Sequence, residues 1–281
     1  MTRETTAPDP ETLQLRNQSL LRAEDHDRFL VTMFTKADTR PPLTALYALN
    51  TEIAKTRFVV SEPALGEIRL AWWREAVTDM INGNVRRHDI LEQLAGQRLR
   101  EDELHTLIDG RKPDLYREQM KDMEALITYA VNTSGQLEGI AARLANGEDE
   151  EIIAARKIGT AWALVGLMRA LPHNLSQGNE QSWNYLPRDR MADWGLVDPT
   201  SDDDGQRAGV CEIVDQVCDV AAHLLTDAAL SRQNPAARLM ASLARSYLGT
   251  LKRAGYDPFR ANFNRGAMGR FLKLGWLSIR S

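Results

Sequence analysis

Long apolar runs, cysteines and a surplus of basic charge are all scarce in this sequence, and each scarcity excludes a class of protein. No stretch of 18 or more apolar residues occurs, and the first residues, MTRETTAPDPETLQ, lack the apolar core of a secretory leader. The expectation is a protein that is neither exported nor membrane-spanning, placed in the cytoplasm with at most peripheral contact to the inner membrane face. Only two cysteines are present, Cys211 and Cys218, seven residues apart in one helical pattern. That spacing suits two buried thiols in a reducing compartment better than a disulfide framework or a metal site. With 35 Lys and Arg against 39 Asp and Glu, the net charge is −4. A nucleic-acid partner needs a concentrated basic surface, so none is expected. A Ser-His-Asp order, a Gly-rich phosphate loop and a CxxC pair are also missing.

Runs of alternating β-branched residues bounded by turns are absent too, whereas apolar residues recur at helical spacing almost throughout. The fold class expected is all-α. Residues 1–12, polar with two prolines, read as a disordered tail, and 13–281 as one helical domain. A chain of 281 residues can bury roughly three quarters of its unfolded surface, enough for a single core. The spacing predicts helices near 13–35, 41–60, 64–82, 87–96, 101–111, 115–146, 149–171, 187–194, 206–231, 235–254 and 266–280. Pro41 and Pro63 fit first turns, and residues 172–186 form the longest polar break. Many helices with short connections predict one bundle closing around a central cavity.

In PPLTALYALNTEIAKTRFVV, residues 41–60, Leu43, Tyr47, Asn50, Ala54 and Phe58 share one side. In DEEIIAARKIGTAWALVGLMRAL, residues 149–171, Ile158, Trp162, Gly166 and Ala170 do the same, joined by Asn174 if the helix passes Pro172. Three acid pairs have four-residue spacing. Asp215 and Asp219 lie opposite an apolar stripe and should face solvent; Asp189 and Asp193 sit at a helix start; Glu75 and Asp79 should form ion pairs on a face. His173 reads as a solvated loop residue without a catalytic partner. Trp72, Trp73, Trp162 and Trp183 suit a packed core or a cavity wall. The last residues, NRGAMGRFLKLGWLSIRS, carry Arg265, Arg270, Lys273 and Arg280 with no acid. They suit a terminal helix packed on the bundle, or a peripheral membrane or partner contact through 265–281.

Four segments in order, DRFLVTMF, ALYALNTEIAKTR, GEIRLAWWREAV and LMRALPHN with WNYLPRD, resemble the squalene/phytoene synthases. These are trans-isoprenoid transferases that join two prenyl diphosphates head to head inside an all-α cavity. The resemblance covers about residues 25–195 and implies the isoprenoid-synthase fold. It implies two aspartate pairs that hold Mg²⁺, because diphosphate leaves only when a hard cation neutralises it. Position by position, the first pair falls on Ala54 and Phe58 and the second on Ala170 and Asn174, while Trp183 replaces the arginine before YLP and Arg169 keeps its charge. The candidate cavity lining is therefore Tyr47, Asn50, Ala54, Phe58, Trp162, Gly166, Arg169, Ala170, Asn174, Trp183 and Tyr185, with no catalytic and no metal-ligating residue named. The resemblance extends to the degenerate branch that includes a mitochondrial complex I assembly factor. It implies a non-catalytic binding, assembly or scaffold protein, with a respiratory-complex partner by family analogy and no cofactor. Two alternatives stand beside it. One is an active prenyl transferase using Mg²⁺ and a reorganised diphosphate site on Arg57, Arg69, Arg74 and Arg169. The other is a protein that binds an isoprenoid or lipid without metal.

Overall fold

The computed structural model describes residues 9–176, 183–226 and 235–263. Among the described residues there is no strand, and the all-α expectation holds. In chain order the helices are α1 (Pro10–Glu24), α2 (His26–Met33), α3 (Arg40–Ala54), α4 (Thr56–Val59), α5 (Pro63–Ile81), α6 (Asp89–Leu94) and α7 (Glu101–Asp109). There follow α8 (Lys112–Tyr116), α9 (Met123–Ala130), a π-turn (Val131–Gly135), α10 (Gln136–Leu144), α11 (Asp149–Leu175), α12 (Arg188–Asp193), α13 (Asp204–Thr226) and α14 (Pro235–Arg253). None of the described helices is long and apolar enough to cross a membrane.

Local chemistry explains where these helices start and where they depart from the periodicity. The first described helix starts earlier than the expected residue 13, because Asp9 caps α1 by accepting from the Thr12 N–H at 3.0 Å and its hydroxyl at 2.7 Å, with Pro10 at the first helical position. The expected tail is therefore helical from Pro10 onward. The helix expected over 13–35 divides at Asp25, whose side chain caps α2 through the Arg28 N–H at 3.1 Å. The helix expected over 41–60 ends at Ala54, and a single turn, α4, follows. Charged Lys55 and Arg57 and β-branched Thr56, Val59 and Val60 favour a break there, and Pro63 forces Glu62 into extended backbone. The span 115–146 is likewise interrupted: Arg117 stops α8 in the left-handed region, Asp122 caps α9 through Ala125, and the π-turn precedes α10. By contrast α11 runs past Pro172 to Leu175. A proline in the last turn removes only the bond to the Met168 carbonyl, so His173 belongs to a helix end and not to a loop. The helix expected at 266–280 and the end of that expected at 206–231 lie outside the described residues.

Two helices are buried on nearly every side. In α3 the run Pro42 to Thr51 is buried throughout, and it packs on α1, α6 and α10. The 27-residue α11 packs on the π-turn, α10, α13 and α14, and it starts from a capping box between Glu148 and Glu151. A helix enclosed this way needs small residues wherever a neighbour comes near. Gly159 is such a residue: a Cβ there would lie 2.2 Å from the Ser134 carbonyl oxygen and 2.7 Å from Glu138 Cγ. Backbone contact between α11 and the π-turn thus depends on the missing side chain. Farther along, Gly166 is half-buried, and a Cβ there would meet no atom within 4 Å.

Gly159→Ala is therefore expected to cost about 3 kcal/mol through overpacking against Ser134. Gly166→Ala should instead stabilise by about 0.5–1 kcal/mol through helix propensity. Denaturant melts of the two variants check both signs, and equal destabilisation would refute the difference in space.

Candidate functional site

The close approach of α11 and α10 sets a buried charge in the interior. Glu138 of α10 accepts from the Tyr47 hydroxyl of α3 at 2.8 Å and from Arg28 Nε of α2 at 3.4 Å. Arg28 also donates to the Ser134 hydroxyl at 2.6 Å and to Asp25 at 2.9 Å, and its guanidinium lies 5.4 Å from the Tyr47 ring centroid and 5.9 Å from that of Trp162. Burial pushes the Glu138 carboxyl above its ordinary range, with Arg28 and Tyr47 pulling it partly back. The same burial, reinforced by Glu138, holds the Tyr47 hydroxyl well above the usual phenol range. Burial opposes the charge on Arg28, yet Asp25 and Glu138 outweigh it and keep the guanidinium protonated.

A second buried node meets α3 one helical turn further on, at Asn50. Asp114 accepts from the Tyr129 hydroxyl at 3.0 Å and the Tyr185 hydroxyl at 3.1 Å. Arg111 donates to Tyr129 at 2.9 Å and to the Asn50 side chain at 3.0 Å, and Arg57 donates to Tyr185 at 3.2 Å. Trp183 packs against Tyr185 with ring centroids 3.8 Å apart and planes inclined at 55°, and its backbone N–H reaches the Asn174 carbonyl at 3.5 Å. Burial raises the Asp114 carboxyl; Arg111, Arg57 and the two hydroxyls oppose that. Two further carboxylates are spoken for. Asp27 accepts from Arg169 at 3.1 Å and from the Tyr247 hydroxyl at 2.9 Å, while Glu103 joins Arg143 and Arg156 at 3.0 and 2.9 Å.

The residues singled out from sequence therefore fall into separate groups. Tyr47 and Trp162 surround Arg28; Asn50, Trp183 and Tyr185 belong to the Asp114 node; Arg169 joins Asp27, with its guanidinium 4.2 Å from the Tyr247 ring centroid. Asn174 is buried beside Trp183, and Ala54, Gly166 and Ala170 are half-buried. Phe58 departs from its expected interior place: it is 59% exposed, because the break at Lys55 takes α4 out of the line of α3. Among the tryptophans Trp73, Trp162 and Trp183 are buried, whereas Trp72 is exposed.

The acid pairs behave as surface features. Glu75 and Asp79 both pair with Arg86, and Asp189 and Asp193 both lie near Arg190. Asp219 is exposed and Asp215 half-buried on α13, where Cys211 and Cys218 are free thiols, the first half-buried and the second buried. The four arginines considered for a diphosphate site do not converge. Arg57 meets Tyr185, Arg69 meets Glu52, Arg74 meets Asp109 and Arg169 meets Asp27. Among the described residues, no group of three or more His, Cys, Asp or Glu side chains is placed to hold a metal ion. The basic stretch 265–281 lies outside the described residues.

Sequence reading missed Glu138, Asp114 and Arg28 as interior groups, although the last stands in a segment already singled out. A signal for Glu138 existed: Ser134, Gly135, Gly139, Ala141 and Ala142 surround it with side chains too small for an ordinary solvated face.

The arrangement defines an all-α isoprenoid-synthase fold. A dehydrosqualene synthase, crystallised with ligand, matches it with a TM-score of 0.79 over 97% of this chain and 98% of that one at 15% identity. Squalene synthase HpnC from Alicyclobacillus acidocaldarius matches with a TM-score of 0.73 over 89% and 97% at 17% identity. Residues 21–270 match the squalene/phytoene synthase family, and the chain belongs to it. A mouse (Mus musculus) relative, "NADH dehydrogenase (ubiquinone) complex I, assembly factor 6", is 28% identical over 262 residues, covering 89% of this chain and 77% of its own. The rat (Rattus norvegicus) protein of the same name is 27% identical over 268 residues, covering 88% and 76%.

The raised Asp114 carboxyl has a pH consequence. Its folded pKa lies above the unfolded one, so the folded state binds the extra proton in between, and the carboxyl's contribution falls as pH rises through that window. The stability advantage of the wild type over Asp114→Asn should therefore shrink from about pH 4 upward and then level. Denaturant melts across pH test this; an advantage that grows with pH would show the opposite shift.

Proposed function

We propose that this chain serves the assembly of a respiratory NADH dehydrogenase complex and does not catalyse prenyl transfer. The observation that carries this reading is the state of the interior. Positions 54, 170 and 174 hold Ala, Ala and Asn, and position 58 holds an exposed Phe. Among the described residues the buried carboxylates, Glu138, Asp114, Glu103 and Asp257, are each engaged by tyrosine or arginine. Mg²⁺ requires several hard oxygen ligands in octahedral array, and these side chains do not fit that requirement. No reaction step is therefore assigned to them. Relatives named as assembly factors over most of the chain support the assembly role. One observation favours a second reading, a metal-free isoprenoid or lipid ligand: the open space on the side of Gly166, along the face that carries Trp162 and Ala170.

Purified protein incubated with farnesyl or geranylgeranyl diphosphate and Mg²⁺ should release no more diphosphate than a boiled control. Steady release above that control restores the transferase alternative. Deleting the gene from its host should lower the amount of assembled NADH dehydrogenase complex on native gels, and the wild-type gene should restore it. Unchanged complex would remove the assembly role. Farnesol binding unaffected by EDTA and weakened by Ala170→Trp would establish the second reading, and no binding would end it.

A further inference from the structure

Charge is divided unevenly along this chain. After Asn234 there are nine basic residues and a single acid, Asp257, although the chain as a whole carries −4. The described part of that segment is α14 with the short stretch that follows it to Phe263. One side of α14 is buried against α11, α13 and α2. Arg238, Arg245 and Lys252 are spaced by seven residues, which places them in one row along the helix, about 10.5 Å apart along its axis. Arg245, Lys252 and the neighbouring Arg253 are exposed.

Helix stability does not explain the row. Cations suit the last turn, where Lys252 and Arg253 stand, but oppose the macrodipole near the start, where Arg238 stands. Internal ion pairing does not explain it either. Asp257 is buried and already shared between Arg207 at 3.8 Å and Arg260 at 3.4 Å. Among the described residues no carboxylate pairs with Arg245, Lys252 or Arg253. Arg245 donates to the Leu225 carbonyl at 2.6 Å, and Arg253 to the Thr250 hydroxyl of its own helix at 3.0 Å. Gly249 belongs to the same row, and a Cβ there would meet only the Arg253 guanidinium, at 3.4 Å. The row therefore leaves room for another backbone to approach between its charges.

The kind of anion follows from what else the face carries. None of the exposed large apolar side chains among the described residues stands on α14, so the face has nothing to insert among acyl chains. The net negative charge of the rest of the chain opposes a long phosphate lattice. A spacing of seven residues is instead the one at which a second helix, crossing at a shallow angle, returns the same side to the contact. We propose that the outer face of α14 docks an acidic helix of a partner protein, with carboxylates repeating every seven residues opposite Arg245 and Lys252 and the closest approach at Gly249. The inference concerns a surface apart from the interior nodes, and it stands whether or not the partner belongs to a respiratory complex.

Fluorescence anisotropy of a labelled four-heptad helical peptide with Glu at every seventh residue, titrated with the full-length chain at low ionic strength, tests it. The wild type should bind this peptide and should bind a scrambled peptide of the same composition far more weakly. Lys252→Glu with Arg253→Glu should weaken binding by about ten-fold, since an exposed ion pair contributes up to about a factor of five and reversal turns attraction into repulsion. Arg245→Gln should weaken it by about two- to five-fold. Both effects should fade at high salt. The double variant leaves the Arg245 contact with Leu225 in place, and unchanged circular dichroism confirms that it folds. No binding, equal binding of the scrambled peptide, or binding indifferent to the α14 variants overturns the proposal. Binding removed by Arg270→Glu with Lys273→Glu but kept by the α14 variants assigns the contact to the C-terminal segment and overturns it too. Phosphatidylglycerol vesicles or duplex DNA held as tightly as the peptide, and released by the same α14 substitutions, make the face a general polyanion surface and equally overturn the acidic helix.

Discussion

The buried Arg28–Glu138 pair is the constraint around which the interior is arranged. Removing an ion from water costs several kcal/mol unless a partner and further hydrogen bonds replace its hydration. Glu138 obtains them from helices distant in sequence: Arg28 on α2 and Tyr47 on α3. The partners reach it only because Gly159 lets α11 lie against the π-turn, and because that turn brings Ser134 within reach of Arg28. One electrostatic demand therefore links α2, α3, α10 and the π-turn, and it explains why two helices buried on nearly every side sit next to a charge. Replacing Glu138 alone would leave Arg28 with Asp25 and Ser134 but remove the acceptor of its Nε and of the Tyr47 hydroxyl in the interior.

The remaining interior charges follow the same logic with different partners. Asp114 is held by two tyrosine hydroxyls with Arg111 at 3.7 Å, a geometry that spreads its charge over neutral donors. Arg57 goes further, resting on aromatic faces, 4.1 Å from the Phe58 ring centroid and 5.1 Å from that of Trp183. Cation–π contacts of this kind are worth about 0.5–2 kcal/mol each. Polar satisfaction is thus local: each node closes on itself, and none leaves a set of free carboxylate oxygens pointing to one place.

The all-α class, the central positions of α3 and α11, and the ion pairing of Glu75 and Asp79 were legible in the sequence because each depends on local periodicity. Breaks in the helices were less so. Lys55 and the π-turn interrupt segments whose apolar spacing continues across them, and a spacing rule has no means of detecting an interruption that tertiary packing imposes. Phe58 was misplaced for this reason, since the wheel for 41–60 assumed one rigid helix. Glu138 and Asp114 were missed because a carboxylate defaults to solvent when read singly. Each became an interior residue through partners 91 and 71 positions away, Tyr47 and Tyr185.

The two halves of the site now stand in a simple physical relation. Ala54 and Ala170 occupy half-buried positions; of the arginines close to them in sequence, Arg57 donates to the Tyr185 hydroxyl and Arg169 to Asp27. Arg169 illustrates the point: lying near the Trp162 and Tyr247 rings, it spends its charge on Asp27 of α2. Within the family's fold, the buried carboxylates of this chain are thus tied into contacts that join its helices to one another.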